Sequence, residues 1–174
     1  MRIDVKFDGI DELMKALNEK AYRKAMNRTI RRMGQRFRTT ATKEVRKTYN
    51  VKASKIKQYM RAKMDGDTFK MYIKSSTVSL MNFGARQTKK GVSVKVRKDR
   101  GRKVIKGAFI AVGKNNNLQV FKRVGKERLP IESKKTLSIT QMFNENVLNK
   151  AKSAVEESYE NEFKRNLDFY LGRS

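Results

Sequence analysis

The sequence predicts an α+β chain with long N-terminal amphipathic helices, an antiparallel β-sheet carrying a basic hairpin, and a long C-terminal helix. Three observations predict it. Apolar residues recur at intervals of three or four before position 50 and again after position 143, the spacing of one helix face. From Asp65 onward the apolar period drops to two, the spacing of one strand face. Short Gly, Asp and Asn clusters break that middle stretch into strand-length pieces. The chain is expected to be one domain over 1–174: residues 1–63 helical, 64–128 antiparallel sheet, 129–174 connector and C-terminal helix.

Ile3, Val5 and Phe7 alternate and predict a short strand, closed by Asp8-Gly9. Asp11 can cap a following helix, with Glu12 favourable at its positive end. Leu13, Leu17, Ala21 and Ala25, then Met26, Ile30, Met33, Phe37, Ala41 and Val45, make one helical seam ending near Tyr49-Asn50. It reads as one long helix or as two joined near Thr29 or Gly34. A short helix is expected around Ala53 to Met60. Phe69, Met71 and Ile73 then define a strand, Val78 to Phe83 a second, and Val92, Val94 and Val96 a third whose other face is polar and basic. Lys98-Asp99-Arg100-Gly101 signals a turn, with Arg102 to Ile105 returning beside that strand. Gly107 to Gly113 and Leu118 to Val124 are two more, joined through Asn115-Asn116-Asn117. Lys126 to Pro130 is a connector. Ser138 and Gln141 fit a capping box for the last helix. Its seam runs through Phe143, Val147, Ala151, Val155, Tyr159, Phe163, Leu167 and Tyr170, and Gly172 suits a left-handed residue beyond its end.

Composition narrows the function. The 174 residues include 43 Lys plus Arg against 17 Asp plus Glu, a net charge of +26. Only 38% are hydrophobic. Such a balance also marks disorder, but here the apolar residues are patterned. A chain this positive repels itself and favours a polyanion, nucleic acid first and a membrane surface second. There is no Cys and no His, which removes disulfides, thiol chemistry, the commonest general base and the commonest transition-metal ligand. No cofactor is expected. The N-terminus lacks a signal-peptide pattern, and the longest apolar run, Ala108 to Val112, is far below the roughly 20 residues of a membrane span.

The charge is concentrated. Residues 20–63 hold sixteen basic groups and one acid, Glu44; residues 86–128 hold fifteen against Asp99 and Glu127. The second stretch contains the candidate site: Arg86, Lys89, Lys90, Lys95, Arg97, Lys98, Arg100, Arg102, Lys103 and Lys106, around the expected hairpin. A ribbon carrying such groups can follow a phosphate backbone. It has no aromatic stacking platform, so duplex contact is the better reading than single-strand binding. The competing reading is a hairpin that is solvated or docks on an acidic protein surface. The basic face of the 20–49 helix is a second candidate, weighed against a seam that packs on the sheet with its charges in solvent. Glu156, Glu157, Glu160 and Glu162 lie near Lys152, Lys164 and Arg165 at helical distances and read as surface ion pairs. Asp65-Gly66-Asp67 is too short for a calcium loop, and no phosphate loop is present. Met64, Met71, Met81 and Met142 read as core or interface filler.

Several ordered blocks resemble the minor tail protein Z family of long-tailed phages and prophages. They are Phe83-Gly84-Ala85-Arg86-Gln87-Thr88-Lys89-Lys90-Gly91-Val92-Ser93-Val94, Gly101-Arg102-Lys103-Val104-Ile105, Gly107-Ala108-Phe109-Ile110-Ala111, Val120-Phe121-Lys122-Arg123 and Arg128-Leu129-Pro130-Ile131. Ala25-Met26-Asn27-Arg28-Thr29-Ile30 and Gln141-Met142-Phe143 are similar as well. The resemblance covers most of the chain and is weakest at Asp65 to Ser79 and Asn115 to Asn117. It implies a non-enzymatic tail completion protein at the head-proximal end of the tail, made in the host cytoplasm and assisting head–tail joining and DNA positioning. Implied partners are the tail terminator, the tail tube or head–tail connector, further copies in a homo-oligomeric ring, and genomic double-stranded DNA, with no membrane. Two other readings compete: a free, sequence-blind double-stranded DNA-binding protein, and a magnesium nuclease. The nuclease ranks last because no acidic pair lies in the basic segments.

Overall fold

A computed structural model describes residues 1–6, 19–65, 68–114 and 116–172. Phe7, the Asp8-Gly9 turn, the Asp11 cap, Leu13 and Leu17, Gly66-Asp67 and Asn115 lie outside the described residues. The chain is α+β with antiparallel sheets; among the described residues 44% are helical and 32% strand. It divides into two compact units, neither of them a continuous stretch.

The first unit comprises residues 1–42, 57–74 and 143–174. It holds β1 (Arg2–Lys6), most of α1 (Glu19–Thr48), β2 (Met60–Asp65), β3 (Thr68–Ile73) and α3 (Glu145–Leu171). The three strands form one sheet in the order β1-β3-β2. Alternation sets the register: Ile3 faces Met71, and Val5 faces Phe69. Met71 and Phe69 lie opposite Ala62 and Met64 of β2 on their other side. β2 falls inside the stretch expected to be helical. Of its residues only Met60 is buried, so its strand character comes from pairing with β3 rather than from its own pattern.

α1 is a single helix over its described length and is uninterrupted at both Thr29 and Gly34. The seam is buried at Ala21, Ala25, Met26, Met33, Phe37, Ala41 and Val45, while Ile30 is half-buried. Gly34 serves packing: a Cβ there would stand 2.8 Å from the Ala62 Cβ of β2. Thr29 is retained because its hydroxyl donates to the Ala25 carbonyl at 2.9 Å, a bond that fits within helix geometry. α1 meets α3 through an edge-to-face pair of Tyr22 and Phe163, centroids 5.7 Å apart. Asn166 Nδ2 also donates to Thr29 Oγ1 at 3.0 Å, with both residues buried.

α3 keeps the predicted seam, with Val147, Ala151, Val155, Tyr159 and Phe163 buried, but it starts later than expected. The Ser138–Gln141 capping box forms, with the Ser138 amide donating to Gln141 Oε1 at 2.8 Å and the Gln141 amide to Ser138 Oγ at 3.4 Å. It opens a 3-10 turn over Thr140–Met142 instead. The long helix takes its own cap, Asn144, whose Oδ1 accepts from the Val147 amide at 2.9 Å. Gly172 is right-handed (φ −72°) and its amide still bonds the Asp168 carbonyl, so the expected left-handed ending does not form.

The second unit comprises residues 43–56 and 75–142. In place of one sheet its described residues form three small ones: β4 (Thr77–Ser79) with β11 (Lys135–Ser138); β5 (Arg86–Thr88), β6 (Gly91–Val94) and β7 (Lys103–Lys106) in that order; and β8 (Ala108–Val112), β9 (Leu118–Arg123) and β10 (Ile131–Ser133) with β9 in the middle. The expected strand over Val78 to Phe83 stops at Ser79. There the Ser79 hydroxyl accepts from the Met81 amide and a 3-10 turn, Leu80–Phe83, follows, ending on left-handed Gly84. The expected helix after Ala53 is α2 (Ala53–Lys57), which ends before Met60. Two strands arise in the expected connector region, β10 (Ile131–Ser133) and β11, each too short and polar to show an apolar period. β8 (Ala108–Val112) and β9 (Leu118–Arg123) form the predicted hairpin. Asn50 fastens the end of α1 to this unit: its amide donates to Val96 O at 2.9 Å, and its Nδ2 donates to Lys95 O at 3.1 Å and Phe83 O at 3.3 Å.

Candidate nucleic-acid interface

The basic segment folds as β5 (Arg86–Thr88), β6 (Gly91–Val94) and β7 (Lys103–Lys106). β6 pairs with β5 on one side and with β7 on the other. Val92 and Val94 are buried and point to one face. By alternation Arg86, Ser93 and Val104 share the other face, as do Thr88, Gly91 and Lys106. Val96 lies beyond the strand, because Asn50 takes the carbonyls of Lys95 and Val96 that would have continued the ladder.

The turn between β5 and β6 is fixed by Gly91. Its φ is +141°, and a Cβ there would sit 2.1 Å from the Ile105 carbonyl oxygen, so only glycine fits. Thr88 Oγ1 donates back to Gly91 O at 2.8 Å and closes the turn. Gln87 Oε1 accepts from the Ile110 amide at 2.9 Å and ties β5 to β8. The lysines at the tip thus stand on a well-braced support.

The ten predicted site residues separate into three groups. Lys89 and Lys90 are exposed at the turn, with exposed Lys106 on the outer face beside them and exposed Arg86 farther along that face, opposite Ser93. None of these four forms an ion pair with a described residue. Lys98, Arg100 and Lys103 are exposed near the opposite end of the sheet, and Lys95 there is half-buried. Since β6 is four residues long, the two ends are about 10 Å apart.

Arg97 and Arg102 are engaged within the protein. Arg97 binds Asp99 through two hydrogen bonds of 2.9 and 2.8 Å and lies 5.6 Å from the Tyr49 ring centre. The bond from Arg97 holds the Asp99 carboxyl below its usual range. Arg102 Nε donates to Ser93 Oγ at 2.8 Å, and its Nη2 donates to Ser93 O at 2.8 Å and Gly84 O at 2.7 Å. Arg102 therefore clamps the chain entering β5 to β6. Sequence spacing could not separate a clamp from a ligand, because Gly84, Ser93 and Arg102 meet only in the fold.

The second predicted basic face also forms. Arg23, Lys24, Arg31, Arg32 and Arg36 are exposed on α1. Arg28 lies over Phe169 and Lys24 over Tyr170, at 4.8 and 6.0 Å from the ring centres. Arg38 and Arg46 donate to the carbonyls of Met60 and Val51. On α3, Arg165 pairs with Glu162 at 2.6 Å, the surface ion pair expected there. Among the described residues no group of carboxylates could hold a metal ion, and no helix is long and apolar enough to cross a membrane.

Sequence reasoning missed Lys134 and Lys135. They line a cleft of about 570 Å³ together with Arg97, Arg100 and Lys103. Nothing local marks them, since β11 becomes a strand only by pairing with β4.

Residues 7–173 match the profile of prophage minor tail protein Z. The chain belongs to that family. Comparison with curated proteins and with solved structures returned no match. Membership of the minor tail protein Z family carries a structural role in a phage tail and a place in the virion tail, with other tail proteins as neighbours. The braced sheet and its cations belong to an assembly component.

Proposed function

We propose that the protein is a tail completion protein at the head-proximal end of the tail, where it assists head–tail joining and positions the DNA end. One observation carries the DNA part of this reading: Lys89, Lys90 and Lys106 gather at one end of a braced sheet, with Arg86 farther along the same face, all four exposed and without ion pairs among the described residues. Cations held this way neutralise phosphates without first breaking an internal ion pair, and their rigid support limits the ordering cost of contact. The net charge of +26 agrees with this setting, because several copies in a ring repel one another unless DNA or acidic neighbours lie between them.

The test is photo-crosslinking in assembled particles. A benzophenone-bearing residue is placed at Lys89, and particles filled with DNA are compared with tails that never joined a head. Crosslinks to DNA in filled particles only are expected. Particles lacking the chain should yield complete tails that join heads poorly. Crosslinks absent from filled particles, together with normal joining without the chain, would refute the proposal. The rival reading, a free duplex-binding protein, requires most of the chain in infected cells to lie on DNA outside particles.

A further inference from the structure

We propose that the cleft lined by β7 and β11 is a docking site for an extended peptide segment of a neighbouring protein, one in which acidic residues alternate with apolar ones. This rests on the reading of the chain as an assembly component and assigns a partner to the end of the basic sheet away from Lys89. Three features of the cleft identify the occupant.

The first is charge. Five cations line the cleft and no acid does. Arg97 and Lys134 are compensated by Asp99 and Glu132. Arg100, Lys103 and Lys135 form no ion pair with a described residue, so the site attracts carboxylates.

The second is the apolar lining. Val94, Val96, Ile105, Leu80 and Leu137, with the Tyr49 ring, supply the apolar part of the wall. A phosphate backbone would meet the cations and leave this lining uncovered. An alternating peptide satisfies both, because an extended chain sends successive side chains to opposite sides.

The third is backbone. Among the described strands β7 pairs only with β6, and β11 only with β4. Each has an open edge of N–H and C=O groups to which an added strand can bond. A second copy of this chain is a poor occupant through its basic stretches, which would bring like charge to the cleft.

The experiment uses the full chain and a fluorescein-labelled heptapeptide in which Glu or Asp alternates with Leu, Val and Ile. The charge-matched control peptide carries Ser at the three apolar positions. Anisotropy at roughly 150 mM NaCl, where long-range attraction is screened, should show the alternating peptide bound at least about tenfold more tightly than the Ser peptide. The exposed double change Arg100→Glu/Lys103→Glu should weaken it by at least about tenfold. The double change Lys152→Glu/Lys164→Glu alters net charge equally and should leave binding within about twofold.

Equal binding of the two peptides, or equal loss in the two double variants, overturns the proposal. So does a 20-base-pair duplex that displaces the peptide and depends on Arg100 and Lys103 to the same degree. The assay needs neither particle nor genome. Its failure removes the peptide partner and leaves the crosslinking result at Lys89 to stand or fall separately.

Discussion

If the β5–β6 tip meets a duplex, removing its two lysines must change how binding responds to salt. Lys89, Lys90 and Lys106 at that end, and Arg86 farther along the same face, are four exposed cations without ion pairs among the described residues. Each phosphate neutralised contributes about −0.9 to the slope of log K against log salt, so four contacts give about −3.6. Affinity for a 20-base-pair duplex should then fall about 150-fold between 50 and 200 mM NaCl. For Lys89→Ala/Lys90→Ala the slope should be about −1.8 and the fall over the same range about 12-fold. Fluorescence anisotropy at four or five salt concentrations measures both lines. Lys152→Ala/Lys164→Ala on α3 serves as the charge-matched control and should run parallel to the unaltered protein. The reasoning is refuted if the tip variant runs parallel as well. A steep slope of about −8 that ignores the tip would move the contact to the exposed arginines of α1.

Three further outcomes follow from the packing and the charge. Gly34→Ala should destabilise the fold by about 1–3 kcal/mol despite the better helix propensity of alanine, because its Cβ would press on that of Ala62 at 2.8 Å. Adding Ala62→Gly should recover part of that loss in urea melts, and a stabilised single variant would refute the close approach. Thr29→Val removes the acceptor that the buried Asn166 amide uses, at a cost of about 1–3 kcal/mol. Thr29→Val/Asn166→Leu should cost less than Thr29→Val alone, whereas additivity within about 0.5 kcal/mol would show that the pair is not coupled. The third outcome concerns pH. Hydrogen bonds from Lys70, Arg97 and Lys134 hold the carboxyls of Asp65, Asp99 and Glu132 below their usual ranges. Their stabilisation is therefore full above the unfolded values near 4 and is lost as pH falls through the lower folded ones. Protonation also drives the net charge from +26 toward +43, the number of Lys and Arg residues. Melting temperature by circular dichroism should drop below about pH 4 and recover partly with added salt. A flat profile down to about pH 2.5 would contradict this.

The elements legible in the sequence are those with enough length or alternation to carry their own period. α1 and α3 announced their buried seams, and Phe69, Met71 and Ile73 announced β3. The β6–β7 pair was legible because Val92 and Val94 alternate with polar residues and a turn follows. β2, β10 and β11 were not, because each owes its strand state to a partner: Met60–Asp65 to β3, Ile131–Ser133 to β9, Lys135–Ser138 to β4. Short strands carry weak preferences of their own, and tertiary pairing decides them. The Ser138–Gln141 pair was a correct local reading attached to the wrong element, since capping chemistry serves a 3-10 turn as well as a long helix. In the basic segment the sequence located the cations but not their duties. Arg102 is a clamp only because Gly84 and Ser93 fold beside it, and Lys134 and Lys135 join the cleft only through long-range pairing.

Gly91 has a consequence for how such a tip can evolve. The Ile105 carbonyl occupies the space where any side chain would begin, so this position tolerates no replacement, while Lys89 and Lys90 beside it are exposed. Selection can therefore retune the tip one codon at a time, toward more charge, less charge or reversed charge, to suit a different neighbour. The glycine that aims those residues stays fixed throughout, which makes it an anchor on which specificity can drift without loss of shape.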